Sequence, residues 1–253
     1  MNIPIDFEHK IEANFGERGK QWLSMLAARV DYYLMKWQLQ LEGPVDNLSY
    51  NYVLKVRDRE HTPLILKFGM PGVDFTNEIR ATKVYKGASF ARLYQYDELD
   101  GVMLLERLEP GYMLSEVESE EQVIHHYIEI WKALRTPVKT SFPLMKSWFD
   151  ELQVYLEKYS KDDCLIPHTL VKNAQCYAQE LFETTAGEEL LHGDLHHYNI
   201  LYDEERGWCA IDPKGVIGDP YFDFVAFLFN ELHMKEQPQS LLKWRIYTLC
   251  TVL

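Results

Sequence analysis

Three polar residues in the last quarter of the chain stand at spacings that suit phosphoryl transfer. Asp194 is followed five residues later by Asn199, within LLHGDLHHYNIL (190–201), and Asp212 follows the apolar pair Ala210-Ile211 in CAIDPKG (209–215). Moving a phosphoryl group from a nucleoside triphosphate needs a carboxylate that orients the attacking hydroxyl and accepts its proton. It also needs Mg²⁺ held against the phosphate oxygens and a cation that neutralises the developing charge. Asp194 and Asn199 meet the first two needs if a short loop turns both toward one point. Asp212, at a strand end, would supply the main metal carboxylate, and two or three such ligands suffice for Mg²⁺.

His192, His196 and His197 crowd the same loop, and zinc is the competing reading. No distant Cys or carboxylate pair completes a familiar zinc spacing, so His192 is expected to bond backbone within the loop. His125-His126 falls in an amphipathic pattern and reads as structural. The four cysteines, Cys164, Cys176, Cys209 and Cys250, form no C-x-x-C pair and read as buried free thiols.

Upstream elements must position these groups. Residues 18–40 repeat apolar side chains at helical spacing, from Trp22 and Leu26 to Val30, Leu34 and Trp37. Alternation then takes over: SYNYVLKVR (49–57), a charged turn and PLILKFG (63–69) read as a hairpin. Residues 74–87 read as a helix with Asp74 as N-cap and Gly87 as stop. Short strands follow near 91–96 and 101–106. After Pro110-Gly111 the segments near 118–135, 144–159 and 169–185 are helical, the middle one entered through Ser141 and Pro143.

H-G-D-x-x-x-x-N with a distal I-D-P resembles the catalytic motif of aminoglycoside phosphotransferases, and parallels the H-R-D and D-F-G pair of protein kinases. The fuller strings HGDLHHxNIL and AIDPKGxxGDPxxD resemble the streptomycin and hydroxyurea branch. With the Trp-rich opening helix, ILKFG and LLERLEPG, the likeness covers most of the chain. The resemblance implies an α+β, two-lobed protein-kinase-like fold. An N-lobe (1–108) of antiparallel sheet plus helix would bind nucleotide, and a mainly helical C-lobe (109–253) would hold the catalytic loop and acceptor.

It further implies ATP and Mg²⁺ as cofactors, Asp194 as catalytic base, and Asn199 and Asp212 as Mg²⁺ ligands. Lys67 would meet the α- and β-phosphates, with Glu78 as its ion-pair partner. Backbone groups of Glu106 and Leu108 would bond adenine, and Asp223 would brace the loop. A Gly-rich phosphate loop is missing; Asn47, Ser49 and Asn51 in VDNLSYN (45–51) would cap phosphates instead. Tyr198 takes a place where the branch tends to have a small residue, narrowing the site. Related enzymes carry more chain after the I-D-P aspartate than the 41 residues here. Either the chain is truncated or another protomer covers its apolar C-terminal face, as in a homo-oligomer.

Composition bounds the partners. Residues 1–106 carry 13 basic and 15 acidic side chains, whereas residues 107–253 carry 13 and 24, within a net charge of −13. So acidic a chain repels nucleic acid and attracts cations, which points to a small cationic acceptor. MNIPIDFEHK lacks a signal-peptide pattern and no apolar run reaches membrane-spanning length, so cytoplasm is expected, with no membrane partner. Three functions stay open: an antibiotic O-kinase acting on a streptomycin-like aminoglycoside or hydroxyurea, a metabolic kinase of the same fold, and a nucleotide-binding module without turnover.

Overall fold

The structure, a computed structural model, describes residues 3–87, 89–137, 141–160 and 165–253. Cys164 lies outside them; Cys176, Cys209 and Cys250 are free thiols, but Cys209 alone of these three is buried, Cys176 and Cys250 lying on the exposed faces of their helices, which corrects the expectation of burial. In chain order the elements are α1 (Ile5–Lys36), β1 (Gln40–Pro44), β2 (Tyr52–Arg57), β3 (Pro63–Phe68), α2 (Val73–Val84), β4 (Leu93–Asp97), β5 (Val102–Glu106) and β6 (Pro110–Met113). Then come α3 (Glu120–Leu134), β7 (Thr136–Pro137), α4 (Asp150–Lys158), α5 (His168–Thr184), β8 (Glu189–Leu191), β9 (Ile200–Asp203), β10 (Gly207–Ala210), β11 (Val216–Gly218), α6 (Asp223–Phe229) and α7 (Pro238–Val252).

The chain forms two compact units, one of residues 1–112 with Leu201–Cys209, the other of Met113–Ile200 with Ala210–Leu253. The first is built on an antiparallel sheet ordered β1-β2-β3-β5-β4. Alternation along β3 sorts its faces. Leu64, Leu66 and Phe68 join Trp22, Leu26 and Val30 of α1 in one core, while Ile65, Met103 and Leu105 meet Phe75 and Ile79 of α2 in another. Lys67, in step with Ile65, therefore lies on the α2 face.

The second unit is mainly helical, with a small sheet ordered β11-β8-β7. Its core stacks Tyr127 on Phe227 at 3.9 Å and sets Trp131 4.7 Å from Phe224. Ser119 caps α3, accepting from the Gln122 amide. No helix among the described residues is long and apolar enough to cross a membrane.

Four local expectations are corrected. The opening helix starts at Ile5, not residue 18, and turns at Gly16 (φ 55°); polar or charged side chains interspersed through 5–17 hide its periodicity, with Phe7 and Ile11 alone of that segment's large apolar groups buried. β1, an exposed strand, lacks alternation and escapes the sequence reading. Gly72, not Asp74, caps α2, and Asp74 sits in the first turn, where a carboxylate complements the helix dipole. Ser141 does not open the next helix: Pro143 accepts from the Ile217 amide at 2.8 Å, so the chain runs extended beside β11 and turns helical after Leu144.

Candidate active site

In the first unit, β3 presents Lys67, 1% exposed, to Glu78 of α2. Its Nζ donates to Glu78 Oε1 at 2.5 Å, and cross-strand neighbours Val53 and Met103 flank the lysine in register. A buried ammonium held by a carboxylate is a fixed point charge suited to phosphate oxygens. Glu106 ends β5, and its carboxylate receives Arg206 and the Arg92 amide. Its own amide donates to Arg92 O at 2.8 Å. The Glu106 side chain is thus consumed in bracing, and Arg107 likewise bonds Glu42 of β1 and Glu109. Leu108 is buried. Ser49 is exposed in the loop between β1 and β2.

In the second unit, β8 delivers the chain into the loop 192–199. Gly193 adopts φ +80°, and a Cβ there would stand 3.0 Å from Lys214 Cβ, so glycine is required on two grounds. Asp223, 5% exposed, accepts from the amides of His192 (3.1 Å) and Gly193 (2.7 Å), one on each carboxylate oxygen. Burial raises its pKa to about 6 against the pull of those two amides. His192 is fully buried. Its Nε2 meets Ile211 O at 2.8 Å while Nδ1 accepts from the Asp194 amide at 3.3 Å. Burial lowers its pKa to about 4, fixing it as neutral imidazole.

Asp194 emerges from this scaffold half exposed. His196 Nε2 stands 3.5 Å from Oδ1 and Lys214 Nζ 3.8 Å from Oδ2. Asn199 closes the loop: its Nδ2 donates to Asp194 O at 2.9 Å, which leaves Oδ1 as the acceptor atom it can offer a cation. Its carbonyl accepts from the Ile211 amide at 3.0 Å, bringing the residue before Asp212 alongside. Asp212 holds φ 61°, a left-handed backbone that aspartate tolerates better than most residues. One carboxylate and one amide oxygen fit Mg²⁺, a hard cation that takes few protein ligands. Among the described residues no group of three or more His, Cys, Asp or Glu could hold a metal. The histidines diverge: His192 turns to Ile211, and His197 stacks on Phe227 at 4.6 Å.

Residues 36–246 match the family of aminoglycoside/hydroxyurea antibiotic resistance kinases. The chain belongs to that family. This resistance-kinase chain is 27% identical over 226 residues to a streptomycin 6-kinase of Streptomyces griseus, covering 88% of this chain and 73% of that protein. A hydroxyurea phosphotransferase of Kitasatospora aureofaciens is 29% identical over 226 residues, 85% of this chain and 64% of its own length. Among solved structures, a choline/ethanolamine kinase family protein from Mesorhizobium loti superposes with a TM-score of 0.64 at 17% identity, covering 88% and 75%. The aminoglycoside phosphotransferase APH(4)-Ia gives 0.63 at 12% identity, covering 87% and 81%. The fold is therefore the α+β protein-kinase-like one that the resemblance implied.

Several partners were not named from sequence. Lys214 lies inside the quoted IDPKG string, and its approach to Asp194 was signalled only by that proximity. Arg206, Glu231 and Arg245 carry no motif. Glu231, at φ 63°, accepts from the Tyr198 hydroxyl at 2.8 Å, so Tyr198 is held by the loop after α6.

Proposed function

We propose that the resistance-kinase chain moves the γ-phosphate of ATP to a hydroxyl of a small cationic molecule, with streptomycin the best single candidate. The observation that carries this reading is the braced loop, in which Asp194 and Asn199 are joined at 2.9 Å and Asn199 is tied to the residue before Asp212. Asp194 orients the acceptor hydroxyl and takes its proton. Asn199 Oδ1 and the Asp212 carboxylate would hold Mg²⁺, which when bound neutralises phosphate charge. Lys67, steadied by Glu78, meets the α- and β-phosphates. The Glu106 carbonyl and the Leu108 amide bond adenine, and Ser49 caps phosphate from the β1–β2 loop. Nucleotide thus belongs to residues 1–108 and acceptor to residues 109–253.

Two comparisons support the ligand classes. The streptomycin 6-kinases share 27% and 28% identity with this chain, and a variant of APH(4)-Ia was solved with ADP and hygromycin B. Charge supports a cation too, since the acidic excess falls in residues 107–253. Carboxylates hold guanidinium groups through paired hydrogen bonds. The 29% identity to a hydroxyurea phosphotransferase favours hydroxyurea as the second acceptor.

The test is phosphate transfer from ATP to streptomycin, hydroxyurea and neutral alcohols, followed by mass spectrometry, with calorimetric titration at low and high salt. Streptomycin affinity should fall with salt more steeply than Mg-ATP affinity, because exposed charges are screened. Efficient transfer to a neutral alcohol, with streptomycin neither bound nor modified, would replace this reading with a metabolic kinase. Nucleotide binding without any transfer would leave a binding module.

A further inference from the structure

The side chain of Arg245, on α7, is fully buried, which is costly for a cation unless every donor is used. Its Nε and Nη2 fork onto the Glu120 carboxylate of α3 at 2.9–3.1 Å. Nη1 donates to the carbonyls of Phe227 (3.2 Å) and Leu228 (3.4 Å) in the last turn of α6 and of Asn230 (3.1 Å) just after it. A further contact leaves this helical frame: Nη2 meets His197 Nε2 at 3.2 Å. Guanidinium can only donate, so His197 Nε2 must accept and its proton must sit on Nδ1. The ring is further fixed by stacking on Phe227, interplanar angle 10°.

His197 opens the 3-10 turn His197–Asn199, whose closing bond runs from the Asn199 amide to His196 O at 2.9 Å. One turn therefore joins His196 beside Asp194, His197 on Arg245, and Asn199. A buried cation needs neutralising, and Glu120 does that; it does not need an imidazole from the loop. We propose that Arg245 is a positioning residue, holding the turn through His197 so that Asn199 and Asp194 keep their aim. This rests on the phosphotransfer reading above, and adds a residue that touches neither nucleotide nor acceptor.

The test compares His197→Leu, which keeps bulk and loses the acceptor, with His197→Gln, which keeps an acceptor oxygen. His197→Leu should lower kcat and raise the Mg²⁺ concentration for half-maximal rate, each by about 10–100-fold, as supports of a metal ligand do. The KM for ATP should stay within about twofold, because the Lys67 side is untouched, and His197→Gln should recover most of the loss. Arg245→Lys should copy His197→Leu, and the double variant should be no worse than the worse single one. Should Arg245→Lys not fold, the two His197 variants decide alone. Wild-type rate and Mg²⁺ requirement in His197→Leu, or losses that multiply in the double variant, overturn the proposal. Imidazole ¹⁵N spectra, assigned by difference against His197→Gln, read the contact without turnover. A proton on Nδ1 is expected, and one on Nε2 refutes the clamp. Nucleotide binding with no transfer to any acceptor by the unaltered chain would instead refute the phosphotransfer reading, whereas undiminished transfer in Asn199→Ala would remove only Asn199 as a metal ligand.

Discussion

Asp194 has a basic group near each carboxylate oxygen, His196 on one side and Lys214 on the other. Replacing it with Asn keeps the shape and removes the proton acceptor. Asp194→Asn is expected to lower kcat by about 10²–10⁴-fold while Mg-ATP still binds, measurable by stopped assay and calorimetry. Near-native turnover would remove it from the chemistry. Asp212 poses a different problem because its backbone is left-handed. Asp212→Ala should lose activity and also about 1 kcal/mol of stability, whereas Asp212→Asn should lose activity with little change in Tm. Equal melting of the two variants would mean that backbone strain is not felt there. The residue types of the loop were legible because phosphoryl transfer allows few alternatives. Lys214, Glu231 and Arg245 were not, because a lone charge in a helix or loop looks the same whether it is solvated or buried.

At the scale of elements, the strand period puts Lys67 on the α2 face, and the helix period brings Glu78 to meet it. That ion pair was expected only from the resemblance to aminoglycoside phosphotransferases, since a lone Lys on a strand and a lone Glu on a helix carry no signal of their own. Lys67→Ala should raise the KM for ATP and lower kcat, with Glu78→Gln a weaker form of the same defect. The double variant should fall well short of the product of the two losses, since they share one interaction; a full product would show that the residues act apart. The loop brace is an element-scale device too. Asp223 serves two amides with two oxygens, but Asn would offer one oxygen and turn an NH₂ toward the other donor. Asp223→Asn is expected to cost about 1–3 kcal/mol in denaturant unfolding and to lower kcat as the loop loosens. Wild-type stability would mean that water replaces the lost acceptor. The β1 strand and the first turns of α1 stayed hidden because their exposed polar positions leave little periodicity to read.

Across the whole molecule, buried titrating groups pull stability in opposite directions with pH. His192, with a folded pKa near 4, and His197, near 3, bind fewer protons folded than unfolded. Their contribution is present above about pH 6.5 and is lost as pH falls through the folded values. Asp223, near 6, does the reverse: the folded chain keeps a proton that the unfolded chain releases between about 3.8 and 6, so stability falls as pH rises there. Two histidines outweigh one aspartate, so Tm should climb from pH 4 to 6.5. The climb should be steeper in Asp223→Asn and shallower in His197→Gln. A flat wild-type profile would count against these burial effects.

The salt bridge between Glu106 and Arg206 joins residues 100 apart in the chain. Arg206 also ties down the carbonyls of Gly87 and Phe90, all within the first compact unit. That unit is therefore discontinuous, and a ribosome making the chain must add residues 113–200 before supplying its last segment. At ordinary elongation rates the pause is roughly 5–20 s. During it, residues 1–112 are complete in length and keep the looser Glu106–Arg92 pair, but lack Arg206, the closer cation on Glu106. A nascent chain ending at residue 200 should exchange its β5 amides faster than one ending at 212, and equal protection would mean that the sheet matures unaided. The first compact unit of such a protein would then be made first and finished late, which exposes it to chaperones and proteases for that interval.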